Sequence, residues 1–428
     1  MNILVLGGGV VGVAAAYYLA RDGHAVAVVE RNPGVGLETS YANGGQLSYS
    51  YVAPLAGPGV LPKIPPWLLR RDAPLRFRPA LDWEQWRWCL EFVLACTRRQ
   101  ADLTTRRLLR LAYYSRALMH RFVEREHPEF DYVQNGKLVV HSDPRSFEAA
   151  RRLLEYQASL GSEQQALAPD ECVALEPALA AMRPRIAGGI YTPSEDAGDC
   201  YKFCVALERL LRANGGELLL DTEIRRLLRW RDRIIGVETS AGVLEADRYV
   251  LALGAASPWL VRPLGIHLPI YPLKGYSLTL PVGPGHVAPR ISVTDFKKKV
   301  VYARLGDELR VAGMADLAGH RAEIDESRIA TLLEETRAAF PEASDFSRLR
   351  PWCGLRPATP KGMPILGRTP YPNLLLDCGQ GALGFTLALA CGRVIADLAA
   401  GRMPEVSLEG FEVGRSGRAA GGNFPPAG

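Results

Sequence analysis

The 428-residue sequence is short of the side chains that hold metals and build disulfide frameworks. Its eight cysteines, at 89, 96, 172, 200, 204, 353, 378 and 391, include no Cys-x-x-Cys pair. Its seven histidines are dispersed, and none belongs to a His-Glu-x-x-His motif. These absences argue against a metal site and structural disulfides, and they point to a reducing compartment. Cys200 and Cys204 share one face of a helical stretch and read as buried thiols. A surplus of one charge is also lacking: 51 basic and 46 acidic residues leave +5. That is too mild for a nucleic-acid partner, but it suits an anionic substrate or weak attraction to an anionic membrane face. Residues 1–20 carry no charged side chain, as a signal peptide or membrane span would. No positive segment precedes that stretch, however, and Gly7, Gly8, Gly9 and Gly12 interrupt it, which argues against both.

What is present begins with those glycines. Residues 2–6 read as a buried strand, 10–21 as a small-residue helix and 25–30 as a second buried strand. This is the order of a parallel-sheet unit. Gly7-x-Gly9-x-x-Gly12 then falls between a strand and a helix, where a dinucleotide fingerprint belongs. The first glycine makes the turn, the second admits a pyrophosphate and the third lets the helix pack on the strand. Glu30 stands at the end of the second strand, placed to accept hydrogen bonds from ribose hydroxyls.

Beyond this unit the chain is long enough for two or three domains. Residues 53–79 are rich in proline and glycine. Helical periodicity runs over 82–100 and 102–126, and the three tryptophans near 82–99 suit either a packed helix, the favoured reading, or a membrane interface. Asn135-Gly136 between two apolar runs predicts a hairpin. Asp199 predicts the N-cap of a helix to 213, and strands with a hairpin at Asp232 follow. More strands fill 266–315 with a turn at Gly306-Asp307, then helices at 325–340 and 384–398. The expected class is α/β with an α+β substrate domain. A Rossmann-type nucleotide domain is expected from 1–55, 185–265 and 350–415, a β-rich substrate domain from 56–184 and 266–349, and a mobile tail at 416–428.

Further segments carry ligand-binding character. In 38–46, the hydroxyls of Thr39 and Ser40 are placed for phosphate oxygens, and Gly44-Gly45 for a flat ring. A strand ends at Gly254. Arg356 stands in Cys353-Gly354-Leu355-Arg356-Pro357, and Gly379-Gln380-Gly381-Ala382-Leu383-Gly384-Phe385-Thr386 opens the last helix, whose N-terminus suits a reduced flavin's negative charge.

Nearly end to end, the chain resembles the bacterial FAD-dependent D-amino acid dehydrogenases within the D-amino acid oxidase and glycine oxidase group. The resemblance rests on the fingerprint with Glu30-Arg31, the segment 38–46, Glu176-Pro177, and Gly188-Gly189 through Asp196 and Gly198-Asp199. It extends to 271–278, Gly354-Leu355-Arg356-Pro357 and Leu383-Gly384. It implies non-covalent FAD, hydride removal from Cα, and hydrolysis of the imino acid to a 2-oxo acid and ammonia. It also implies electron delivery to a respiratory quinone, with a cytoplasmic enzyme lying against the inner face of the cell membrane. On this reading Arg356 holds the substrate carboxylate, with Tyr302 a second candidate and Tyr51 and Tyr276 weaker ones. The cofactor-binding set is Ile3, Leu6, Gly7, Gly8, Gly9, Val10, Val11, Gly12, Glu30, Arg31, Thr39, Ser40, Asn43, Gly44, Gly45, Gln46, Gly254, Gly381, Leu383, Gly384, Phe385 and Thr386. Gln380 and Phe385 depart from the histidine and tryptophan usual in the family, and Tyr41 and Gly44 also differ. The competing readings are an amine oxidase using oxygen or acting on D-hydroxyproline- or sarcosine-like amines, and a non-catalytic electron-transfer subunit.

Overall fold

The computed structural model describes residues 1–50, 52, 56–63 and 73–413, so Tyr51 and the tail at 416–428 lie outside the described residues. The strands are β1 (Asn2–Leu6), β2 (Ala25–Val29), β3 (Gln46–Leu47), β4 (Leu75–Phe77), β5 (Lys137–His141), β6 (Gln165–Leu167) and β7 (Gly188–Thr192). They continue as β8 (Asp196–Ala197), β9 (Glu217–Leu219), β10 (Ile224–Trp230), β11 (Arg233–Thr239), β12 (Gly242–Leu244), β13 (Arg248–Leu251) and β14 (Tyr271–Pro281). The last are β15 (Ser292–Asp295), β16 (Val300–Leu305), β17 (Glu308–Leu317), β18 (Arg350–Ala358), β19 (Ile365–Arg368) and β20 (Leu374–Cys378). The α-helices are α1 (Val10–Arg21), α2 (Trp83–Ala95), α3 (Arg98–Glu126), α4 (Pro144–Ala158), α5 (Pro169–Leu175) and α6 (Cys200–Ala213). Three more are α7 (Ser257–Val261), α8 (Glu326–Ala339) and α9 (Gly384–Ala399).

Among the described residues, one sheet runs β19-β20-β13-β1-β2-β9, parallel except for β19 at its edge. Its strands alternate faces: Ile3 and Val5 pack toward α1, α6 and α9, while Leu4 and Leu6 pack toward the β10–β12 meander. Ile3 and Leu6 are therefore core residues, and their side chains are not available to a cofactor. Helix α1 closes over the sheet because its small residues from Val13 to Ala16 are wholly buried. The segment Gly381–Ala399 is long and apolar enough to span a bilayer, but most of it is buried, in contact with α1 and α3.

The second sheet has nine strands in the order β18-β14-β17-β16-β15-β5-β7-β6, with β4 pairing β17. One face packs a core with α8 and α5, including Leu278, Val293 and Leu332. The other face meets the segment 42–46: a Cβ at Gly44 would lie 3.0 Å from Val301 Cγ2, and Ser277 donates to the Ala42 carbonyl.

The Asp199 cap, the Asp232 hairpin and the Gly306-Asp307 turn all form, and Asp199 accepts from the Lys202 N–H. Residues 133 and 138–140 do not pair as the Asn135-Gly136 turn predicts. Val133 bridges to Ala197, whereas β5 lies between β15 and β7, where its five buried residues are covered on both faces. The break between α2 and α3 falls at Cys96-Thr97, where the Thr97 hydroxyl caps the Gln100 N–H. Two segments within the ranges expected for the nucleotide domain, 188–192 and 350–358, join the nine-stranded sheet instead. There they find hydrogen-bonding neighbours, β5 and β6 for β7 and β14 for β18.

Candidate functional site

The glycine turn is built as its spacing demands. Gly7 has φ +114, and a Cβ there would lie 2.6 Å from the Ala252 carbonyl oxygen. A Cβ at Gly12 would fall 2.0 Å from the Gly7 oxygen, so only glycine lets the helix sit this low on the strand. Gly9 differs: a Cβ there would meet only Ser40 Oγ, at 3.7 Å. Above Gly9 is a space that a side chain would fill, beside a helix start with no cap from its own N-cap residue. Ser40 Oγ lies at the rim and accepts from the Val10 N–H at 3.1 Å. This cradle fits a pyrophosphate. Gly9, Val11 and Gly12 would hold it through their N–H groups, since Gly8 and Val10 give theirs to Glu30 and Ser40.

Glu30 ties the turn to β2. Its Oε2 accepts from the Gly8 N–H at 2.8 Å, and its Oε1 accepts from the backbone and side chain of Asn32. A carboxylate has about four acceptor sites, so Oε2 keeps a lone pair for a ribose hydroxyl. Arg31 is turned outward, paired with Glu38.

The segment 38–46 is laced to the nine-stranded sheet. Thr39 Oγ1 donates to the Leu355 carbonyl at 2.9 Å, so its proton goes to β18 and not to a phosphate. Ser277 Oγ donates to the Ala42 carbonyl at 2.6 Å. Arg310 donates to the Asn43 carbonyl at 2.9 Å, to Thr279 Oγ1 at 2.8 Å and to Asp199 Oδ2 at 3.1 Å. Asn43 Oδ1 accepts from the Gly45 N–H, closing a tight turn. The Gln46 amide donates to the Val293 and Tyr302 carbonyls, so Gln46 offers a cofactor its backbone alone. Arg310 carried no sequence signal. Its role depends on a buried pair with Asp199, 111 residues away in the chain.

The start of α9 closes the other side. Gly254 (φ +53) opens a short turn after β13, and Gly381 (φ +59) opens another before α9. Both turns contact β18, and Gly381, Leu383 and Gly384 are partly exposed at the rim. Phe385 is not at the rim. It is 5% exposed and packs 5.4 Å from the Phe203 ring in the core. Thr386 is equally buried, its hydroxyl accepting from the Ser48 N–H. Gln380 also turns inward and donates to Asp377 Oδ1 at 2.7 Å. Burial raises the Asp377 carboxyl well above the usual carboxylate range. The departures at 380 and 385 therefore alter the support behind the flavin turn, and neither side chain lines the site.

Arg356 extends from β18 across β14. A Cβ at Gly275 would fall 2.4 Å from Arg356 Cζ and Nη2, so the guanidinium lies directly on that glycine. Nη1 donates to the Met314 carbonyl at 3.1 Å. Among the described residues no carboxylate pairs with it, and burial lowers its pKa from the ordinary arginine value. A partly buried guanidinium with no acidic partner among the described residues, facing the flavin segment, is a built anion site.

Tyr302 and Tyr276 are excluded by register. Tyr302 pairs with Val311 and Val311 with Leu278, which places all three on the core face, opposite Arg356. The Tyr302 ring packs 4.8 Å from Phe340, and burial raises its hydroxyl pKa. Tyr276 donates to Asp316 Oδ2 on the same core face. Near the far end of the site-facing side lies Lys137. It donates to Ser48 Oγ at 2.8 Å and is pulled by burial down to about 8, and the nearby Glu195 carboxyl is raised by burial.

Comparison with known proteins agrees with this geometry. A family model described as FAD dependent oxidoreductase matches residues 2–398. The chain belongs to the FAD-dependent oxidoreductase family. It is 51% identical over 433 residues, 97% of the chain and 100% of the relative, to D-amino acid dehydrogenase 2 of Ralstonia nicotianae. It is 46% identical over 420 residues, 97% of the chain and 99% of the relative, to D-amino acid dehydrogenase of Paramagnetospirillum magneticum. Among solved structures it superposes on glycine oxidase from Geobacillus kaustophilus with TM-score 0.77 at 21% identity, covering 96% of this chain and 98% of that one. L-proline dehydrogenase from P. horikoshii gives TM-score 0.75 at 20% identity, with 96% of each chain covered. These likenesses show the fold. FAD is the cofactor of this oxidoreductase family.

Proposed function

We propose that the protein oxidatively deaminates small free D-amino acids to 2-oxo acids and ammonia, passing electrons to a quinone-type acceptor. The observation that carries this is Arg356, a partly buried guanidinium without an acidic partner among the described residues, laid on Gly275 and facing the segment 42–46. The dehydrogenase names of relatives up to 51% identical support the substrate class.

The backbone of Gly9, Val11 and Gly12, Glu30, segment 42–46 and the 381–384 turn would hold FAD, which would supply the hydride acceptor when bound. The chain supplies position. Arg356 holds the carboxylate with two parallel hydrogen bonds, and this fixes Cα relative to the segment that Ser277 and Arg310 fasten to the sheet. Once the substrate amine has lost its proton to solvent, hydride transfer from Cα needs no side-chain base, and among the described residues no carboxylate pairs with Arg356. The N-terminus of α9 favours negative charge next to it.

For the acceptor and the cellular position, the support is α2. Its inner face, with Gln85, Trp88, Phe92 and Ala95, packs on the protein, as the favoured reading of the tryptophans requires. Its outer face leaves Trp83 at 74%, Leu90 at 60% and Leu94 at 68% exposed. Arg98 and Arg99 follow at the helix junction, and no acid pairs with them among the described residues. A Trp/Leu ridge beside free arginines suits the interface of an anionic bilayer. We infer a cytoplasmic enzyme lying against the membrane there.

The test is anaerobic titration of the purified holoenzyme with single amino acids, followed by reoxidation. D-Alanine should bleach the flavin, and a soluble quinone should restore its colour faster than oxygen does. Bleaching by sarcosine but by no D-amino acid would replace this reading.

A further inference from the structure

Beside the carboxylate clamp lies a second flat side chain in a matching position. Trp352, Gly354 and Arg356 alternate along β18 and so share the face turned toward segment 42–46. Gly354 pairs directly with Gly275. A Cβ at Gly354 would fall 2.1 Å from Trp352 Cη2 and 2.5 Å from Cζ2, as a Cβ at Gly275 would fall 2.4 Å from Arg356 Cζ. Two cross-strand glycines thus form a floor on which two planar groups lie. The benzo edge of the indole covers one glycine and the guanidinium the other, about 5 Å apart by the spacing of paired residues. A larger floor residue at either position is incompatible with this layout.

We propose that Trp352 is the specificity-determining wall of the substrate site and limits it to α-amino acids with short apolar side chains. The inference rests on Arg356 as carboxylate clamp and adds what stands beside it. The direct partner of Trp352 is Ser277, whose hydroxyl is spent on the Ala42 carbonyl. The direct partner of Arg356 is Leu273, a buried apolar residue. Among the described residues, the indole N–H has no hydrogen-bond partner, and no acid pairs with Arg356. A substrate anchored by its carboxylate therefore finds carbon surface next to the clamp and no second charge to meet an ionised side chain. Trp352 stays partly exposed although its neighbours Cys353 and Gly354 are buried, so a face of the ring remains for a ligand to cover. The wall as proposed admits a methyl or isopropyl group beside the fork. A benzyl group would have to displace it.

The experiment uses the holoenzyme and the variants Trp352→Ser and Trp352→Phe, with Arg356→Ala run in parallel. For each, kcat/KM is measured for D-alanine, D-phenylalanine and D-glutamate, and flavin content is recorded. Binding of acetate and phenylacetate is read independently from the perturbed flavin spectrum. The wall predicts that the D-phenylalanine to D-alanine ratio rises about tenfold or more in Trp352→Ser, with a smaller rise in Trp352→Phe. Phenylacetate should gain on acetate in the same order. Arg356→Ala should weaken all substrates and both carboxylates together. Ratios unchanged within twofold in both Trp352 variants, with Arg356→Ala impaired, would overturn the wall and leave the clamp standing. Loss of flavin in the Trp352 variants without a change in selectivity would also overturn it, because the ring would then belong to the cofactor's support. An unimpaired Arg356→Ala enzyme would remove the clamp itself.

Discussion

Gly275 exists for Arg356: the guanidinium occupies the space where any other residue on β14 would place its Cβ. Replacing Gly275 with Ala puts a methyl group 2.4 Å from Cζ, so the fork must lift toward the substrate or swing off Met314. Losing the alignment of a charge-assisted pair costs about 1.5–3 kcal/mol. This corresponds to a fall in kcat/KM of roughly 10- to 150-fold. Flavin content should stay normal, and steady-state kinetics with D-alanine on a flavin-quantified sample checks both points.

The pyrophosphate cradle gives an independent prediction. A Cβ at Gly9 clashes with nothing in the protein, its nearest atom being Ser40 Oγ at 3.7 Å. Gly9→Val should therefore fold yet fail to bind FAD, because the branched side chain fills the space left for phosphate. Absorbance of the purified variant near 450 nm against protein concentration, on the order of a tenth of wild type or less, is the expected outcome. A folded variant carrying full flavin would show that the cofactor is held elsewhere.

How much of this was legible beforehand depends on where each partner lies in the chain. The fingerprint, Glu30 and the α9 start could be read because each is a local backbone requirement: a turn, a close approach or a helix end. Arg356 could be read because it sits among rigid neighbours. What could not be read is orientation across a sheet. A one-residue difference in register separates Val301, facing the site, from Tyr302, buried against Phe340. Thr39 and Gln46 suit a cofactor by residue type, but their hydrogen bonds go to carbonyls of strands more than 240 residues away. Glycines 275 and 354 look ordinary in sequence, and they acquire meaning once β14 and β18 pair.

Arg310 and Asp199 form a buried ion pair that fastens α6 and the Asn43 carbonyl to the second sheet. Removing one partner leaves the other charge buried, a cost of about 3–5 kcal/mol. Arg310→Met should lower the unfolding free energy by that order and release FAD more readily. Asp199→Asn should do less, since the amide oxygen can still cap Lys202. Denaturant unfolding and FAD dissociation, measured on both variants, check the ranking.

Lys137 gives a pH signature. Its folded pKa, about 8, lies below its ordinary value of 10.5, so burial penalises the charged form. Below pH 8 the lysine is charged in both states and the penalty is full. Between about 8 and 10.5 the unfolded chain binds a proton that the folded one does not, so this residue's contribution to stability rises with pH. Wild type should gain on the order of 2–3 kcal/mol relative to Lys137→Met across that window. Parallel denaturant titrations at pH 7.5 and 10 would show it, and a constant difference between the two proteins would contradict it.

The most direct measurement is anaerobic reduction of the flavin in Arg356→Ala by D-alanine, followed by stopped-flow absorbance. With the fork gone, the substrate carboxylate loses about 2–4 kcal/mol of charge-assisted hydrogen bonding. The apparent second-order rate constant should therefore fall roughly 30- to 1,000-fold. Flavin content should be unchanged, and Arg356→Lys should recover only part of the rate, because it restores the charge without the planar fork. Reduction of Arg356→Ala at the wild-type rate would show that the carboxylate is held elsewhere and would refute the account.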